Sequence, residues 1–149
     1  MTLFLYIVIG IITFIAFLHA LAKKDYEISR TISINAPREK IFQYVVNLEN
    51  QIKWISWLKN DENLKLQYKI TENSKALYWQ NGEKIGEGLQ KVIKQRRNEV
   101  FESRLVIIRP VKLVSFSFFG VKETDPEKSR VIFGFRGQLS FPFSVLNLF

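Results

Sequence analysis

The first 22 residues constrain this chain most, because they contain an apolar segment long enough to cross a lipid bilayer. Thr2 to Ala22 carries no formally charged side chain. As a helix rising about 1.5 Å per residue, the segment spans roughly 31 Å, close to the hydrocarbon thickness of a membrane. A core helix of a soluble protein would show a polar face, and this segment has no polar face. We therefore expect residues 1–22 to form a transmembrane anchor.

A cleavable signal peptide is the alternative interpretation of the same segment, because Ala20-Leu21-Ala22 has the small-x-small form of a cleavage site. Only Met1 precedes the apolar run, so the basic start of a signal peptide is missing, and the run is longer than a usual signal core. Lys23 and Lys24 follow it directly. The positive-inside rule then predicts a single-pass protein of the cell membrane with its soluble part in the cytoplasm.

The roughly 127 residues after the anchor suit one domain, and they carry all of the net charge of +8. Such a charge favours attraction to an anionic membrane surface. We expect no nucleic-acid partner, since the only basic cluster, Lys91–Arg97, contains the end of a strand and a turn. The chain has no cysteine, and its single histidine, His19, lies in the apolar segment. We therefore expect no metal, no cofactor and no histidine-based catalysis.

Alternating and helical patterns predict an α+β domain over residues 26–149, joined to the anchor by a hinge at residues 23–25. Tyr26–Ile34 alternates as a strand, and Pro37 opens two short helical stretches, Arg38–Leu48 and Glu49–Lys59. Asp61 and Glu62 follow as a solvated loop. Six further strands are separated by turn signals: Leu64–Ile70, Lys75–Asn81, Lys84–Lys94, Glu99–Ile108, Lys112–Val121 and Arg130–Leu139. The tail, Phe141–Phe149, has the pattern of another helix beginning near Pro142.

Two stretches of the domain resemble the START-like, polyketide-cyclase (SRPBCC) superfamily. In the first, Arg30 among isoleucines, Ala36-Pro37 and the pair Trp54 and Trp57 carry the resemblance: YEISRTISINAPREKIFQYVVNLENQIKWISWL. The second resembles the family's central strands and includes the Gly86-Glu87-Gly88 step: YWQNGEKIGEGLQKVIKQRRNEVFESRLVIIRP. Glycines within a strand are typical of a bulge or of strong sheet curvature.

The resemblance implies a helix-grip fold, in which a curved seven-stranded antiparallel sheet wraps a long C-terminal helix. A cavity between the sheet and the helices would hold a lipid, a sterol or a polyketide-like molecule. This sequence ends at Phe149, where that helix should begin. We therefore expect the domain to be incomplete at its C-terminus, or another surface to cover the inner face of the sheet.

Aromatic side chains on alternating strand positions are the candidate lining of such a cavity. Val114, Phe116 and Phe118 share one side of their strand, opposite Ser115 and Ser117, and we expect that side to face inward. These rings either line an apolar ligand pocket or fill the core. The full candidate set of rings is Trp57, Trp79, Phe101, Phe116, Phe118, Phe133 and Phe135.

Two charged residues interrupt apolar strand faces: Arg30 lies among isoleucines, and Glu87 lies between Ile85 and Leu89. A buried charge is unfavourable unless it is paired, so the two are expected to pair with each other or to hold a polar group of a ligand. No partner acid, base or nucleophile accompanies Glu87, and we predict no catalytic residue.

The sequence leads to three functional hypotheses. The first is a membrane-anchored START-like domain that binds a hydrophobic small molecule or lipid without catalysis. The second is an enzyme of the polyketide-cyclase type, which the resemblance suggests. The third is an interaction domain that forms a homo-oligomer, or binds a partner, through an uncovered sheet face.

Overall fold

A computed structural model describes residues 1–139, and the helix predicted at Phe141–Phe149 lies outside the described residues. The described chain divides into two compact units, residues 1–26 with 137–139, and residues 27–136. In the first unit, helix α1 (Thr2–Leu21) buries none of its residues. Its mean hydropathy is 2.5, and it is the one helix within residues 1–139 that is long and apolar enough to cross a membrane, a property that signal sequences share.

Seven antiparallel strands form a single sheet in the order β1-β7-β6-β5-β4-β3-β2, which confirms the predicted α+β class. The strands after β1 follow one another as a meander, and β1 lies beside β7 at one edge. Their bounds are β1 Asp25–Ile34, β2 Lys65–Ile70, β3 Lys75–Gln80, β4 Glu87–Arg96, β5 Val100–Arg109, β6 Leu113–Asp125 and β7 Lys128–Gln138.

The short helices lie between β1 and β2 in the sequence, as predicted, but they are more fragmented than the sequence pattern indicates. They comprise α2 (Arg38–Val46), a 3-10 turn (Leu48–Asn50), α3 (Gln51–Trp54) and α4 (Ser56–Lys59). Asn47 separates the first two, and its side chain accepts a hydrogen bond from the backbone N–H of Glu49. The Asn47 side chain thus caps the 3-10 turn and ends α2 two residues before the predicted end.

The core lies between these helices and one face of the sheet, which we call the inner face. The helices contribute Ile41, Phe42, Val45, Leu48, Ile55 and Leu58, and the strands contribute Leu77, Phe101, Phe119, Val121 and Val131. Burial of each large apolar side chain contributes about 1.5–3 kcal/mol. We call the opposite side of the sheet the outer face.

The Gly86-Glu87-Gly88 step coincides with an irregularity between β4 and β5. The register shifts between Glu87 and Gly88, and Ile108 of β5 is left without a partner there, as in a bulge of β5. A Cβ atom on Gly88 would lie 2.4 Å from Cζ2 of Trp79, its cross-strand partner in β3. Gly88 therefore gives the indole of Trp79 room to lie flat against the neighbouring strand.

Candidate ligand-binding site

A pocket opens between the short helices and the inner face of the sheet, within residues 27–136. Four elements supply most of its wall: α3, β5, β7 and the end of α2. The lining residues are Val45, Gln51, Trp54, Ile55, Trp57, Gln90, Phe101, Leu105, Ser117, Phe133 and Phe135. The wall is thus mainly apolar with a few polar groups, which is the usual composition of a small-molecule site.

The rings around the pocket contact one another edge to face. Trp54 on α3 meets Phe133 on β7, with centroids 5.3 Å apart and planes at 82°. Phe133 in turn meets Phe135 at 5.1 Å. Trp57 meets Trp79 at 5.5 Å, so Trp79 supports the wall from behind. Edge-to-face pairs at these separations are favourable, and they hold the rings in defined orientations.

A chain of polar side chains crosses the inner face beneath the rings. The amide Nε2 of Gln90 donates to Oγ of Ser103 at 2.7 Å. The hydroxyls of Ser103 and Ser117 are 2.8 Å apart and hydrogen-bonded to each other. All three residues are buried, at 3%, 0% and 6% exposure respectively. Buried polar groups require hydrogen-bond partners, and the bonds among these three side chains supply most of the partners that they need.

The pocket is narrow in this conformation. The lining residues leave about 300 Å³ between them, with the open solvent at its mouth included. The centre of a water-sized sphere, however, fits within only about 10 Å³ of that space. One water molecule needs about that much room. A larger ligand therefore requires the half-buried rings at the rim to move.

The structure brings together only part of the predicted site. Trp57, Phe101, Phe133 and Phe135 line the pocket, and Trp79 lies directly behind Trp57. Whether these residues bind a ligand stays a prediction.

The predicted inward side of β6 was wrong. Ser115 and Ser117 are buried on the inner face, whereas Phe116 and Phe118 lie on the outer face, where they pair across the strands with Arg104 and Glu102. Arg136 lies over the ring of Phe118, with its Cζ 5.9 Å from the centroid. The buried hydroxyls there have partners from other strands: Ser117 continues the polar chain from Gln90 and Ser103, and Ser115 donates to the backbone carbonyl of Arg136. The alternation of residues along one strand does not reveal such partners.

The predicted pairing of Arg30 with Glu87 was also wrong. Glu87 pairs instead with Arg109 on the adjacent strand β5, with Oε2 2.7 Å from Nη2. Arg30 lies on β1, separated from β4 by three intervening strands, and its side chain is exposed. Neither charge is deeply buried, so neither requires the other.

Sequence reasoning missed the polar members of the site, Gln51, Gln90, Ser103 and Ser117. The sequence held part of the information needed to find them. The alternation that places Phe101 and Leu105 on the inner face also places Ser103 there, and Gln90 pairs with Leu105 across the strands. Trp54 was noted only for its part in the resemblance, and the structure places it in the pocket wall.

Asp61, predicted to be solvated, instead anchors the loop between β3 and β4. Only 7% of the surface of Asp61 is exposed. Its Oδ2 accepts the backbone N–H of Lys84 at 2.9 Å, and its Oδ1 accepts that of Glu83 at 3.3 Å. These bonds, led by the one from Lys84, hold the pKa of Asp61 below its ordinary value, although burial acts in the opposite direction. Because Glu83 and Lys84 are held in this loop, β4 begins at Glu87 and not at the predicted Lys84.

We expect the loop contact of Asp61 to make the protein less stable in acid. A lowered folded-state pKa contributes stability that is present above the unfolded pKa, about 3.9, and is lost as pH falls through the folded value. Urea unfolding of the full chain in nonionic detergent, from pH 6 downward to about pH 3, measures it. Asp61→Asn should be less stable at pH 6 and should lose less stability across that range than the unchanged protein. Equal pH slopes for the two proteins would contradict the assignment.

A second, open concavity lies beside the turn between β4 and β5, mainly on the outer face but with Arg38 of α2 at its border, and we call it the outer groove. It has a volume of about 520 Å³. Its lining residues are Thr31, Arg38, Arg96, Glu99, Val100, Gly120, Val121, Lys122, Arg130 and Ile132. Arg96 pairs with Glu99, and Arg38 pairs with Glu39 and Glu123. Lys122 and Arg130 have no ion-pair partner among residues 1–139, so the groove keeps an excess of positive charge.

Comparisons with known sequences find no matching family model and no matching curated protein. Solved structures do match. The Zhui aromatase/cyclase from Streptomyces sp. R1128 aligns with a TM-score of 0.57 at 8% identity, over 78% of this chain and 70% of its own. An uncharacterized protein from Bacillus thuringiensis gives 0.56 at 16% identity, over 83% and 87%. The Aha1 dimer from Colwellia psychrerythraea gives 0.54 at 16%, over 78% and 79%.

These likenesses define the class of fold. The chain has the helix-grip type of sheet and short helices, preceded in the sequence by one long apolar helix, and the fold that the resemblance implied is confirmed. At identities of 8–16%, these similarities do not indicate which substrate or ligand this chain binds. Function has to be argued from the site.

Proposed function

We propose that this protein is a membrane-anchored START-like domain that binds a hydrophobic small molecule or lipid on the inner face of its sheet. The observation that carries the proposal is the ring-lined pocket, where Trp54, Trp57, Phe101, Phe133 and Phe135 converge around a few polar groups. Ligand sites have this apolar wall with sparse polar contacts. The aromatase/cyclase with the same fold supports the proposal by analogy only.

The anchoring part of the proposal is based on α1. All of its side chains are apolar or uncharged, none is buried, and Lys23 and Lys24 follow it. We propose residues 1–22 as a single-pass anchor, 23–25 as a hinge and 26–149 as a domain on the cytoplasmic side. N-terminal sequencing of the mature protein distinguishes an anchor, which begins at Met1 or Thr2, from a cleaved signal peptide, which leaves Lys23 first.

Intrinsic fluorescence provides a direct test of ligand binding, because all three tryptophans of the chain lie at the pocket and α1 has none. We expect dibrominated stearate to quench the fluorescence of the full chain in nonionic detergent, and plain stearate not to. Bromine quenches only at short range, so quenching reports a ligand beside the rings. Equal signals with the two fatty acids would contradict the proposal.

Two matched variants locate the quencher. Phe135→Asp places a charge in the pocket wall. It should weaken the binding of dibrominated stearate, measured by quenching, at least about tenfold, since a charge in an apolar site is strongly unfavourable. Phe116→Asp makes the same change at a half-buried ring on the outer face and should leave binding within about twofold. Equal loss in both variants would indicate an effect on folding and would overturn the proposed location.

The outer groove supports a second partner, the anionic membrane surface. Lys122 and Arg130 lack ion-pair partners within the described chain, and they lie among two further arginines. A groove with unpaired cations is suited to phosphate and carboxylate headgroups. The same domain then holds an apolar ligand on one face and contacts lipid headgroups with the other.

Alternatively, the inner face binds a second copy of the chain and forms a homo-oligomer. Ile28 and Ile32 on β1 are 65% and 56% exposed. Ser29 lies against Gly134 on the outer side, so by alternation Ile28 and Ile32 belong to the inner side. Exposed apolar side chains of this kind favour association. The cyclase-type alternative lacks comparable support, because Glu87 is held in an ion pair with Arg109.

A further inference from the structure

Three buried polar atoms around the pocket have no hydrogen-bond partner in the described structure: Oε1 of Gln51, Nε1 of Trp54 and Oε1 of Gln90. All three residues line the same pocket, and Gln51 and Gln90 are only 1% and 3% exposed. An unsatisfied buried polar group is unfavourable, and such groups are few in folded proteins. Three of them around one cavity indicate a site for a polar atom that is not part of the chain.

The two helical members are placed together by the local structure. Gln51 and Trp54 are the first and last residues of α3, three positions apart, and so lie on the same side of the helix. Gln90 lines the same pocket from β4. The lining therefore presents two acceptors and one donor, a set that one oxygen carrying hydrogen would satisfy if it lay within reach of all three. A water molecule does so fully, since it donates twice and accepts from the indole.

The serine chain allows the site to adapt to a hydroxyl that has only one hydrogen. If the amide of Gln90 turns over, its oxygen accepts from Ser103 and its NH₂ group faces the pocket. Ser103 and Ser117 permit this, because each hydroxyl rotates and can act as donor or acceptor. The pocket then offers one acceptor, Gln51, and two donors, Trp54 and Gln90, which matches an alcohol that donates once and accepts twice.

We propose that this pocket is an oxygen-sized subsite that selects apolar ligands bearing a hydroxyl group. The hydroxyl takes the place of a water molecule, and the apolar body of the ligand lies against Phe133 and Phe135. The room of about 10 Å³ suits one oxygen atom and no larger group. This inference rests on the proposed function, because it specifies which apolar ligands the same site prefers.

Two ligands of equal size test the preference: 1-decanol and undecane, which differ by a hydroxyl in place of a methyl group. The full chain, labelled with ¹⁵N at tryptophan and held in nonionic detergent, gives three indole N–H signals, which single Trp→Phe variants assign. We expect 1-decanol to bind about tenfold more tightly than undecane, the effect of one net hydrogen bond, and to shift the Trp54 signal most.

Gln90→Leu and Gln51→Leu should each reduce the preference for 1-decanol to about twofold or less. Two variants are used so that one stays informative if the other disturbs the core, and circular dichroism shows which variant is folded. Gln67→Leu, at an exposed position on β2, is the matched control and should keep the full preference. Equal binding of the two ligands, or an unmoved Trp54 signal, would overturn the subsite alone. If neither ligand binds, the proposed function fails together with it.

Discussion

Replacing Trp79 by alanine is expected to lower the free energy of unfolding by about 3–5 kcal/mol, the range measured for large aromatic side chains removed from a core. Trp79 is 1% exposed and lies across Gly88, with its edge against Trp57. Its Nε1 donates to the backbone carbonyl of Ile85 at 3.4 Å. Removing the indole therefore leaves a cavity and an unpaired carbonyl, and it withdraws support from the pocket wall.

Urea unfolding of the full chain in nonionic detergent, followed by circular dichroism, measures this loss. Tyr44→Ala is the matched control, because Tyr44 is an aromatic residue on α2 with 44% of its surface exposed. It should change the free energy of unfolding by less than about 1 kcal/mol. A similar small change for Trp79→Ala would mean that the indole is not part of the core.

Reversing two charges in the outer groove, Lys122→Glu with Arg130→Glu, is expected to weaken binding to anionic vesicles at least about 30-fold. Each cation near an anionic surface contributes about 1 kcal/mol, so losing two corresponds to that factor before the added repulsion is counted. Both side chains are free of ion pairs within the described chain, so no internal partner is lost. Binding of the unchanged protein should weaken as salt increases.

The measurement is cosedimentation of the chain without residues 1–22 with vesicles containing phosphatidylserine, after circular dichroism has established that this fragment is folded. Lys65→Glu with Lys112→Glu is the control, since it makes the same change in net charge at exposed positions outside the groove. The control should lose clearly less affinity. Equal losses would show that net charge alone, and not the outer groove, attracts the membrane.

Much of the fold was predictable because its signals are local. The alternation in Tyr26–Ile34 predicted β1. The Gly86-Glu87-Gly88 step predicted a bulge or strong curvature, and the register with β5 does shift there, although the extra residue is Ile108 of β5. Less of the site was predictable. Strand alternation gave the correct side for Phe101, Phe133 and Phe135, but on β6 both sides carry apolar residues, since Phe119 and Val121 alternate with Phe116 and Phe118. The pattern there fits either orientation.

The sequence by itself determined the apolar N-terminal helix, the number of strands and their places along the chain, and the excess of positive charge, because each depends on neighbouring residues or on composition. Only the tertiary structure decided which partner each buried polar group has. Glu87 lies beside Arg109 because β4 and β5 are adjacent, and Asp61 binds the backbone of a loop more than 20 residues away. Gln51 and Gln90 come from a helix and a strand that are 39 positions apart in the printed sequence, and they share one pocket only because the sheet folds beneath α3. Hydrogen bonding acts over about 3 Å in space and not along the chain, so a polar site of this kind is assembled only by folding.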